Sequence, residues 1–516
     1  MTVGSQVSLV VDGRSVTVAD DGASLLEVLR ERLGVTSAKD GCSPQGQCGC
    51  CTVLVDGEPR VACVTPARRV AGRSITTLDG MGERAQRWAD AFCAAGASQC
   101  GFCTPGIIVR LDGLRQRGIE RDDLDHVERA LLAHLCRCTG WRTILDAWRA
   151  YGSAPDASRR DLERASVRAS LEGANHQVVA PGVALGGGGF ADDVAPPEAL
   201  VAVPDGRGGW SVAETLVDAR RAAAKVQGRR TTVATGHPIS VPDGDWVATL
   251  QTQWVEPAYL ETDASWCRPG GEPASPLANG GAFGGKVDSG AMGVARELAD
   301  QHGRAVRVLL SREDTVRLGA KRPPIAAGVR RDGSGIVRVA RTPGVAAAIT
   351  SHAPALRVEE VDVAGPVTSC NLRAAGWAEA AVLLAGARGS ADEVVAPNGA
   401  RARASIDADG VHVSVAAGDP LDDVVLRSFC IGAAHMALGW VTSEGIAVDG
   451  GGEPLDLTIR SFGVLRAIDT PPITVDIESD VGPPRNGSDA VFAAVAAATW
   501  VAQGCPPTFP TGVRIR

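Results

Sequence analysis

Cysteine is concentrated in the first third of this 516-residue chain, and this feature constrains the fold more than any other. Ten of the fourteen cysteines lie before residue 150, and five of them fall in KDGCSPQGQCGCCTVLVDGEPRVAC, residues 39–63. The chain begins MTVGSQVSLVVDG, which is typical of a β-strand rather than of a signal peptide. Dense thiols in a chain without an export signal favour metal or redox chemistry over disulfides. We therefore expect a cytoplasmic protein whose N-terminal part binds metal.

The length and charge of the chain narrow the possible function classes. A chain of 516 residues should form more than one domain, because a single core rarely grows beyond about 250–300 residues. The net charge of −8 predicts no basic surface of the kind that binds nucleic acid. No run approaches the roughly 18 consecutive apolar residues of a membrane helix. We therefore expect neither a nucleic-acid partner nor a membrane span.

Four cysteines of the first group have nearly the spacing of a plant-type 2Fe–2S site. That site uses a Cys-x4-Cys-x2-Cys loop and a distant fourth cysteine. Here the first gap has one extra residue, and the fourth thiol follows a predicted hairpin around Asp56-Gly57. Cys50 is predicted to be a spare thiol that points away from the cluster. The predicted ligands of the first 2Fe–2S cluster are Cys42, Cys48, Cys51 and Cys63.

A second set of thiols forms two close pairs, Cys100-x2-Cys103 and Cys136-x-Cys138. Four thiolates can hold a second 2Fe–2S cluster, but four cysteines in two pairs also suit zinc. The Cys-x-Cys spacing is less usual for a tetrahedral zinc site. We therefore predict a second 2Fe–2S cluster, with zinc as the open alternative.

Apolar periodicity predicts a mixed α+β chain in four segments. Residues 1–80 contain two hairpins and one helix, and residues 81–151 are helical, with one helix beginning at Thr104-Pro105. Residues 152–175 are small and polar and predict a linker. Residues 176–516 alternate apolar runs, glycine-rich turns and a few helices, without an internal repeat.

The motifs GCSPQGQCGCCTV, QCGFCTPG and LCRCTGW occur in an order that resembles the iron–sulfur module of the molybdenum hydroxylases, the xanthine dehydrogenase and aldehyde oxidase family. The resemblance implies a ferredoxin-like β-grasp domain with one 2Fe–2S cluster, followed by a helical bundle with another. It also implies that the helical cluster lies nearer to a molybdopterin, with Gln99 close to that cofactor. One departure is AHLCRCTG, where the family usually has Gly-Asn before the leucine.

Residues 176–516 resemble a shortened form of the same family's molybdopterin-binding region. NGGAFGGKVD resembles the glycine-rich loop near the metal, which implies that Gly281, Phe283 and Gly284 contact the cofactor. NLRAAGW resembles the loop whose arginine orients the substrate, and that arginine is Arg373 here.

Two features argue against hydroxylation by this chain alone. The region has about 340 residues, roughly half the length usual in the family. The family's glutamate, which takes a proton from the metal-bound hydroxide, aligns with Ser488, and Asp489 lies beside it. Serine is a poor general base without a partner, because the base needs a pKa near the working pH. Arg373, Ser488 and Asp489 are therefore the candidate catalytic residues of a doubtful active site.

Together these observations predict an iron–sulfur oxidoreductase component that relays single electrons between a molybdenum centre and a flavin subunit. No FAD-binding region is evident, so the expected partners are an FAD-binding subunit and a full-length molybdenum subunit. One alternative is a self-contained molybdopterin hydroxylase that acts on a heteroaromatic compound or an aldehyde. A second alternative is a zinc-binding interaction protein without a redox role.

Overall fold

The computed structural model describes residues 6–153, 160–223, 236–277, 279 and 281–515. They form one five-stranded and three four-stranded sheets together with helices, which confirms the predicted α+β class. The strands are β1 (Gln6–Val11), β2 (Arg14–Ala19), β3 (Thr52–Val55), β4 (Glu58–Val61), β5 (Ser74–Thr76), β6 (Leu200–Pro204), β7 (Trp210–Ala213), β8 (Ala248–Gln251), β9 (Ala264–Cys267), β10 (Val306–Leu309), β11 (Ile325–Val329), β12 (Gly335–Ala340), β13 (Leu356–Val361), β14 (Val394–Val395), β15 (Arg401–Asp407), β16 (Gly410–Ala416) and β17 (Ile473–Ile477). The helices are α1 (Leu25–Glu27), α2 (Glu83–Ala95), α3 (Thr104–Gln116), α4 (Leu124–Ala130), α5 (Arg142–Ala150), α6 (Leu162–Gly173), α7 (Pro181–Ala184), α8 (Leu216–Ala223), α9 (Ala291–His302), α10 (Arg312–Leu318), α11 (Val345–His352), α12 (Trp377–Arg388), α13 (Asp423–Thr442) and α14 (Ser488–Ala502).

The N-terminal domain is built on the five-stranded sheet, in the order β2-β1-β5-β3-β4. Both predicted hairpins are present, since β1 pairs with β2 and β3 pairs with β4. Both residues of each Asp-Gly turn have positive φ, as a type I′ turn requires. The predicted helix begins behind the Ser24 cap as α1 and continues as a π-helix over Val28–Arg32.

The next domain is a helical bundle of α2, α3, α4 and α5. As predicted, α3 begins at Thr104 with Pro105 in its first turn. Helices α2 and α5 pack through Trp88, whose ring stacks on Trp148 at 6.2 Å and on Tyr151 at 4.0 Å. These stacked rings join the two ends of the bundle.

Helix α4 covers only part of the stretch DDLDHVERALLAHL, residues 122–135, although the whole segment 81–151 is predicted to be helical. It ends at Ala130, and a 3₁₀ turn over Leu131–Ala133 follows. The chain then leaves the helix because the Leu135 amide donates a hydrogen bond to the Cys48 carbonyl oxygen at 3.0 Å. A tertiary contact therefore ends the helical pattern before the second thiol pair.

The linker predicted over 152–175 is wrong for residues 162–173, which form α6; residues 154–159 lie outside the described residues. Asp161 caps the helix, and its carboxylate accepts hydrogen bonds from two first-turn amides. Arg168 and Glu172 pair at 2.9 Å, and both side chains are fully buried. Arg168 also donates to carbonyl oxygens of the C-terminal half. One buried ion pair and these carbonyl contacts therefore fix a polar helix against the C-terminal half.

The C-terminal half contains the sheets β7-β6-β10-β9, β13-β12-β11-β8 and β14-β15-β16-β17. Helices α13 and α14 pack on each other at its centre and are almost entirely buried. Helix α13 is long and apolar enough to cross a membrane, but 89% of its most apolar window is buried inside the protein, as in a core helix. A Cβ at Gly432 of α13 would lie 1.8 Å from the Cys138 carbonyl oxygen, so this helix lies directly against the second thiol set.

Candidate metal centres

The first thiol group lies in the loop before β3 and in the turn after β4. Its thiols, Cys42, Cys48, Cys51 and Cys63, are each at most 5% exposed. The Gln45 amide donates to Cys42 Sγ at 3.1 Å, and the Cys63 amide donates to Cys51 Sγ at 3.4 Å. Amide hydrogen bonds to ligand sulfur stabilise the negative charge of an iron–sulfur cluster.

The thiols of the first group differ in their pKa values. The Cys48 thiol, and after it the Cys63 thiol, lowers the pKa of Cys42 well below its usual value. The pKa values of Cys48 and Cys63 are raised, chiefly by their contact with Cys42. The thiolate is the form that binds metal, and Cys42 is the thiol of this group whose thiolate the fold favours.

The second thiol group lies before α3 and before α5. The Sγ atoms of Cys100 and Cys138 are 3.6 Å apart. Cys136 Sγ is in hydrogen-bond contact with the Cys103 thiol and lies 3.0 Å from Thr139 Oγ1. The Cys103 thiol lowers the pKa of Cys136 to about 7 against the effect of burial, and Thr139 adds to the lowering.

Both groups bring their thiols into direct contact with one another. A 2Fe–2S cluster places two cysteines on each iron, so paired thiols suit it. A zinc ion instead needs its ligands around one point. Within the described part of the chain, no three His, Cys, Asp or Glu side chains are grouped as a single metal ion would require. The second group forms two pairs, Cys100 with Cys138 and Cys103 with Cys136, whereas in the first group Cys42 contacts both Cys48 and Cys63, and Cys63 also contacts Cys51.

The two groups are in direct contact. Leu135, next to Cys136, donates its amide hydrogen to the carbonyl oxygen of Cys48. A Cβ at Gly106 of α3 would lie 2.3 Å from the Gly49 carbonyl oxygen, so the bundle touches the first loop without an intervening side chain. The backbone therefore connects a thiol of one group to a thiol of the other.

Cys50 is a fifth thiol at the first group. The sequence predicted that it points away, but its thiol is in hydrogen-bond contact with the Cys48 thiol, so that prediction is wrong. The Cys48 thiol acts to lower the pKa of Cys50, but burial and neighbouring thiols, including Cys136 of the second group, raise it overall. Cys50 is thus buried at the boundary between the two groups.

The glycine-rich loop of the C-terminal half packs on the second thiol group. Gly281 has a φ of +83°, and a Cβ there would lie 2.9 Å from Cys100 Cβ and 3.2 Å from Cys138 Sγ. Gln99 donates its side-chain amide to the Cys138 carbonyl oxygen at 3.0 Å and to that of Ser428 in α13 at 3.1 Å. Among the described residues, these contacts leave no gap between the loop and the second group.

The other residues predicted to surround a cofactor form one wall with Arg373. The Arg373 amide donates to the Phe283 carbonyl oxygen at 3.1 Å, and its guanidinium carbon lies 4.8 Å from the centre of the Phe283 ring. Gly284 packs directly against the backbone of Asn371, since a Cβ at Gly284 would lie 1.9 Å from the Asn371 carbonyl oxygen. The structure thus brings these three predicted residues together.

Ser488 and Asp489 begin α14 beside the same arginine. Arg373 Nη2 donates to Ser488 Oγ at 3.2 Å, and Arg373 Nε lies 3.1 Å from Asp489 Oδ1. The buried Ser488 hydroxyl donates to Asn486 Oδ1 at 3.3 Å, so its proton is directed at an amide oxygen rather than at a base. Burial raises the pKa of Asp489, while Arg373 opposes that effect.

Glu172 of α6 is a site residue that sequence reasoning missed. Its carboxylate accepts the Gly487 amide at 3.1 Å and the Ser488 amide at 2.9 Å, at the N-terminus of α14. A carboxylate is stabilising there because the helix dipole is positive at that end. The signal in the sequence was the i, i+4 spacing of Arg168 and Glu172 inside the predicted linker.

The arrangement does not fit the molybdopterin that the resemblance implied. A cavity of about 390 Å³ borders Phe283, Gly284, Arg373, Asp489 and Glu172, but not the second thiol group. Its walls carry two carboxylates together with Arg373, which pairs with Asp489. The side of the loop that faces the thiols is closed by direct contact. The closed contact between the loop and the second thiol group therefore does not fit this cofactor.

Known protein families match the two thiol-bearing domains. A family model described as 2Fe-2S iron-sulfur cluster binding domain matches residues 9–71, and one described as [2Fe-2S] binding domain matches residues 77–149. With the two thiol groups, these matches define a protein with two 2Fe–2S domains.

Two curated relatives show where such domains occur. The chain is 39% identical over 135 residues to the nicotinate dehydrogenase small FeS subunit of Eubacterium barkeri, covering 26% of this chain and 84% of that subunit. It is 42% identical over 149 residues to the aldehyde oxidoreductase of Megalodesulfovibrio gigas, covering 28% of this chain but only 16% of that enzyme. The chain belongs to the xanthine dehydrogenase and aldehyde oxidoreductase family of molybdenum hydroxylases.

The fold of a solved relative extends beyond these domains. Aldehyde oxidoreductase from Desulfovibrio gigas is similar to 84% of this chain and to 74% of its own chain, with a TM-score of 0.56 and 18% identity. At this identity the likeness concerns the fold. The likeness in fold therefore extends into the C-terminal half of this chain.

Proposed function

We propose that this chain is the iron–sulfur component of a molybdenum hydroxylase system and relays single electrons between a molybdenum centre and a flavin subunit. The observation that carries the proposal is the direct contact of two buried groups of paired thiols, through the hydrogen bond from Leu135 to Cys48. Each 2Fe–2S cluster, when bound, takes up and releases one electron. The protein excludes water from both groups and connects them through its backbone.

In this proposal each cluster is held by one thiol group. The chain supplies amide and hydroxyl donors to the sulfurs, and these donors help to set the reduction potential. The proposed ligands are Cys42, Cys48, Cys51 and Cys63 for the first cluster, and Cys100, Cys103, Cys136 and Cys138 for the second.

We assign hydroxylation to another subunit because, in the described part of the chain, the two candidate catalytic groups on α14 are both held by Arg373. Ser488 stands in place of the family's glutamate and is bonded by Arg373, and Asp489 is paired with the same arginine. The contacts of Gln99 and Gly281 occupy the side where a molybdopterin would approach the second cluster. The C-terminal half then serves as a scaffold that covers the clusters.

The proposed partners are an FAD-binding subunit and a full-length molybdenum subunit, in the cytoplasm. Support comes from the relative in Eubacterium barkeri, which is itself named as a small FeS subunit. Affinity purification of the chain from its native host, followed by flavin and molybdenum analysis of what co-purifies, tests both partners.

Metal analysis of the anaerobically purified chain tests the central proposal. We expect about four irons per chain, as two Cys₄-ligated 2Fe–2S clusters require, and no molybdenum or pterin. Electron paramagnetic resonance after dithionite reduction should show two distinct 2Fe–2S signals. Molybdenum near one per chain together with a pterin would favour the self-contained hydroxylase, and zinc in place of iron would overturn both readings.

A further inference from the structure

The first thiol group is covered by a segment from the far C-terminal half. The Arg460 amide donates to Gln47 Oε1 at 3.3 Å, and Arg460 Nε donates to the Gln47 carbonyl oxygen at 3.0 Å. A third hydrogen bond runs from Arg460 Nη2 to the Leu132 carbonyl oxygen. Gln45 donates to the Leu457 carbonyl oxygen at 3.0 Å. These contacts fix the loop that carries Cys42 and Cys48.

The guanidinium of Arg460 is bonded one residue away from Cys48, since its Nε donates to the Gln47 carbonyl oxygen. Burial lowers the pKa of Arg460 most, and Arg466 lowers it further, whereas Cys48 and Cys42 act in the opposite direction. Thiolate charge at these two positions therefore stabilises the Arg460 cation. By reciprocity, the cation stabilises negative charge at the sulfurs.

A second arginine of the C-terminal half contacts the same loop. Arg312, at the start of α10, is fully buried and donates to the Gly41 carbonyl oxygen at 2.8 Å and to that of Leu260 at 2.7 Å. Like Arg460, it bonds main-chain carbonyl oxygens in these contacts. The positive charge of both side chains is thus directed at the backbone around the thiols.

We propose that Arg460, assisted by Arg312, is a positioning residue that raises the reduction potential of the first 2Fe–2S cluster. Reduction adds one negative charge to the cluster, and a nearby fixed cation stabilises the reduced form more than the oxidised form. The C-terminal half would then make the first cluster the preferred electron acceptor. This inference rests on the proposed relay only for the direction of electron flow.

A redox titration of the full-length chain, followed by electron paramagnetic resonance, tests this role. In Arg460→Gln we expect the midpoint potential of the first cluster to shift to a more negative value, while that of the second cluster stays unchanged. Arg460→Lys keeps the charge, and the potential of its first cluster should therefore lie close to the wild-type value. Arg338→Gln is the matched control, because it removes one charge from β12, where Arg338 pairs with Glu359 at 3.0 Å.

The outcomes separate this inference from the proposed function. Two 2Fe–2S signals with an unchanged first potential in Arg460→Gln would overturn the role of Arg460 and leave the relay intact. A purified wild-type chain without iron would refute the relay itself. If Arg460→Gln loses the first cluster, Arg312→Gln decides, since it removes the second positive charge beside the same loop. An unchanged potential of the first cluster in that variant would overturn the proposal.

Discussion

At the scale of single residues, the first thiol group has five buried cysteines, whereas a 2Fe–2S cluster takes four ligands. One of the five thiols is therefore not a ligand. Cys50 contacts Cys48, whereas Cys42 and Cys63 join the four predicted ligands to one another. We predict that Cys50→Ser retains about four irons per chain, as two 2Fe–2S clusters require, together with both resonance signals. Iron analysis and electron paramagnetic resonance measure this.

Cys51→Ser is the matched comparison for this prediction. It changes the neighbouring cysteine, which is equally buried but pairs with Cys63. We expect it to lose the first signal and about half of the iron, because one iron of the cluster would lack a ligand. Loss of the first cluster from Cys50→Ser, with retention in Cys51→Ser, would reverse the ligand assignment.

His435 predicts a pH dependence of stability. It is fully buried in α13, donates toward the Leu465 carbonyl oxygen at 3.1 Å, and has its pKa lowered from 6.5 to about 3, chiefly by burial and then by Arg137. The unfolded chain takes up a proton below pH 6.5, whereas the folded chain does not, so stability falls as the pH decreases below 6.5. Between pH 7 and pH 5 the loss should be about 2 kcal/mol.

Urea unfolding at pH 7 and pH 5 measures this loss. We expect His435→Gln to show a smaller decrease than the wild type, because the titrating group is removed while a donor to Leu465 is retained. In His126→Gln, at a half-exposed position on α4, the free energy of unfolding should decrease as much as in the wild type. Equal pH dependence in His435→Gln and the wild type would contradict the prediction.

At the scale of secondary-structure elements, α6 is an anchor held by a buried ion pair. Glu172→Gln leaves Arg168 as an uncompensated buried charge and weakens the bonds to the start of α14. Breaking one partner of a buried pair costs about 3–5 kcal/mol. We therefore predict a decrease of that size in the free energy of unfolding, measured by urea denaturation.

Arg164 on the same helix is the control for this prediction. It pairs with Asp419 at 3.1 Å, and both side chains are about half exposed. Arg164→Gln should change the free energy of unfolding by less than about 1 kcal/mol. Similar losses in both variants would mean that the pair at Glu172 has no special role.

Some elements could be predicted because a local rule determines them. The Asp-Gly hairpins, the Ser24 cap and the Thr104-Pro105 helix start depend on neighbouring residues, and the thiol spacing limits the cofactor. The end of α4 could not be predicted because a distant carbonyl oxygen, that of Cys48, decides it. Helix α6 and the contacts of Arg460 depend on pairing across the chain, and no short pattern records such pairing.

At the scale of the whole molecule, a buried ion pair joins the second thiol group to the C-terminal half. Arg137, between Cys136 and Cys138, makes two hydrogen bonds to the Glu444 carboxylate, at 2.5 and 2.7 Å. Both side chains are almost completely buried. Glu444→Gln should destabilise the protein by about 3–5 kcal/mol. On heating, the resonance signal of the second cluster should then be lost at a lower temperature than that of the first cluster.

Asp146→Asn is the control, because Asp146 also pairs across the two halves, with Arg427 at 3.1 Å, but both side chains are 39% exposed. We expect a change of less than about 1 kcal/mol and no effect on either signal. Thermal melting with parallel resonance spectra distinguishes the two variants. A second signal that is equally stable in Glu444→Gln and in the wild type would refute the link between the halves.

The burial of all eight paired thiols has a consequence for how this protein matures. All eight are at most 9% exposed, and the C-terminal half lies against both groups, through Arg460 at the first and Gly281 at the second, so a closed apoprotein gives iron and sulfide little access to the ligands. We therefore expect cluster delivery to precede the docking of the C-terminal half. The docking of the C-terminal half would then be the last folding step, and it would bury the bound clusters.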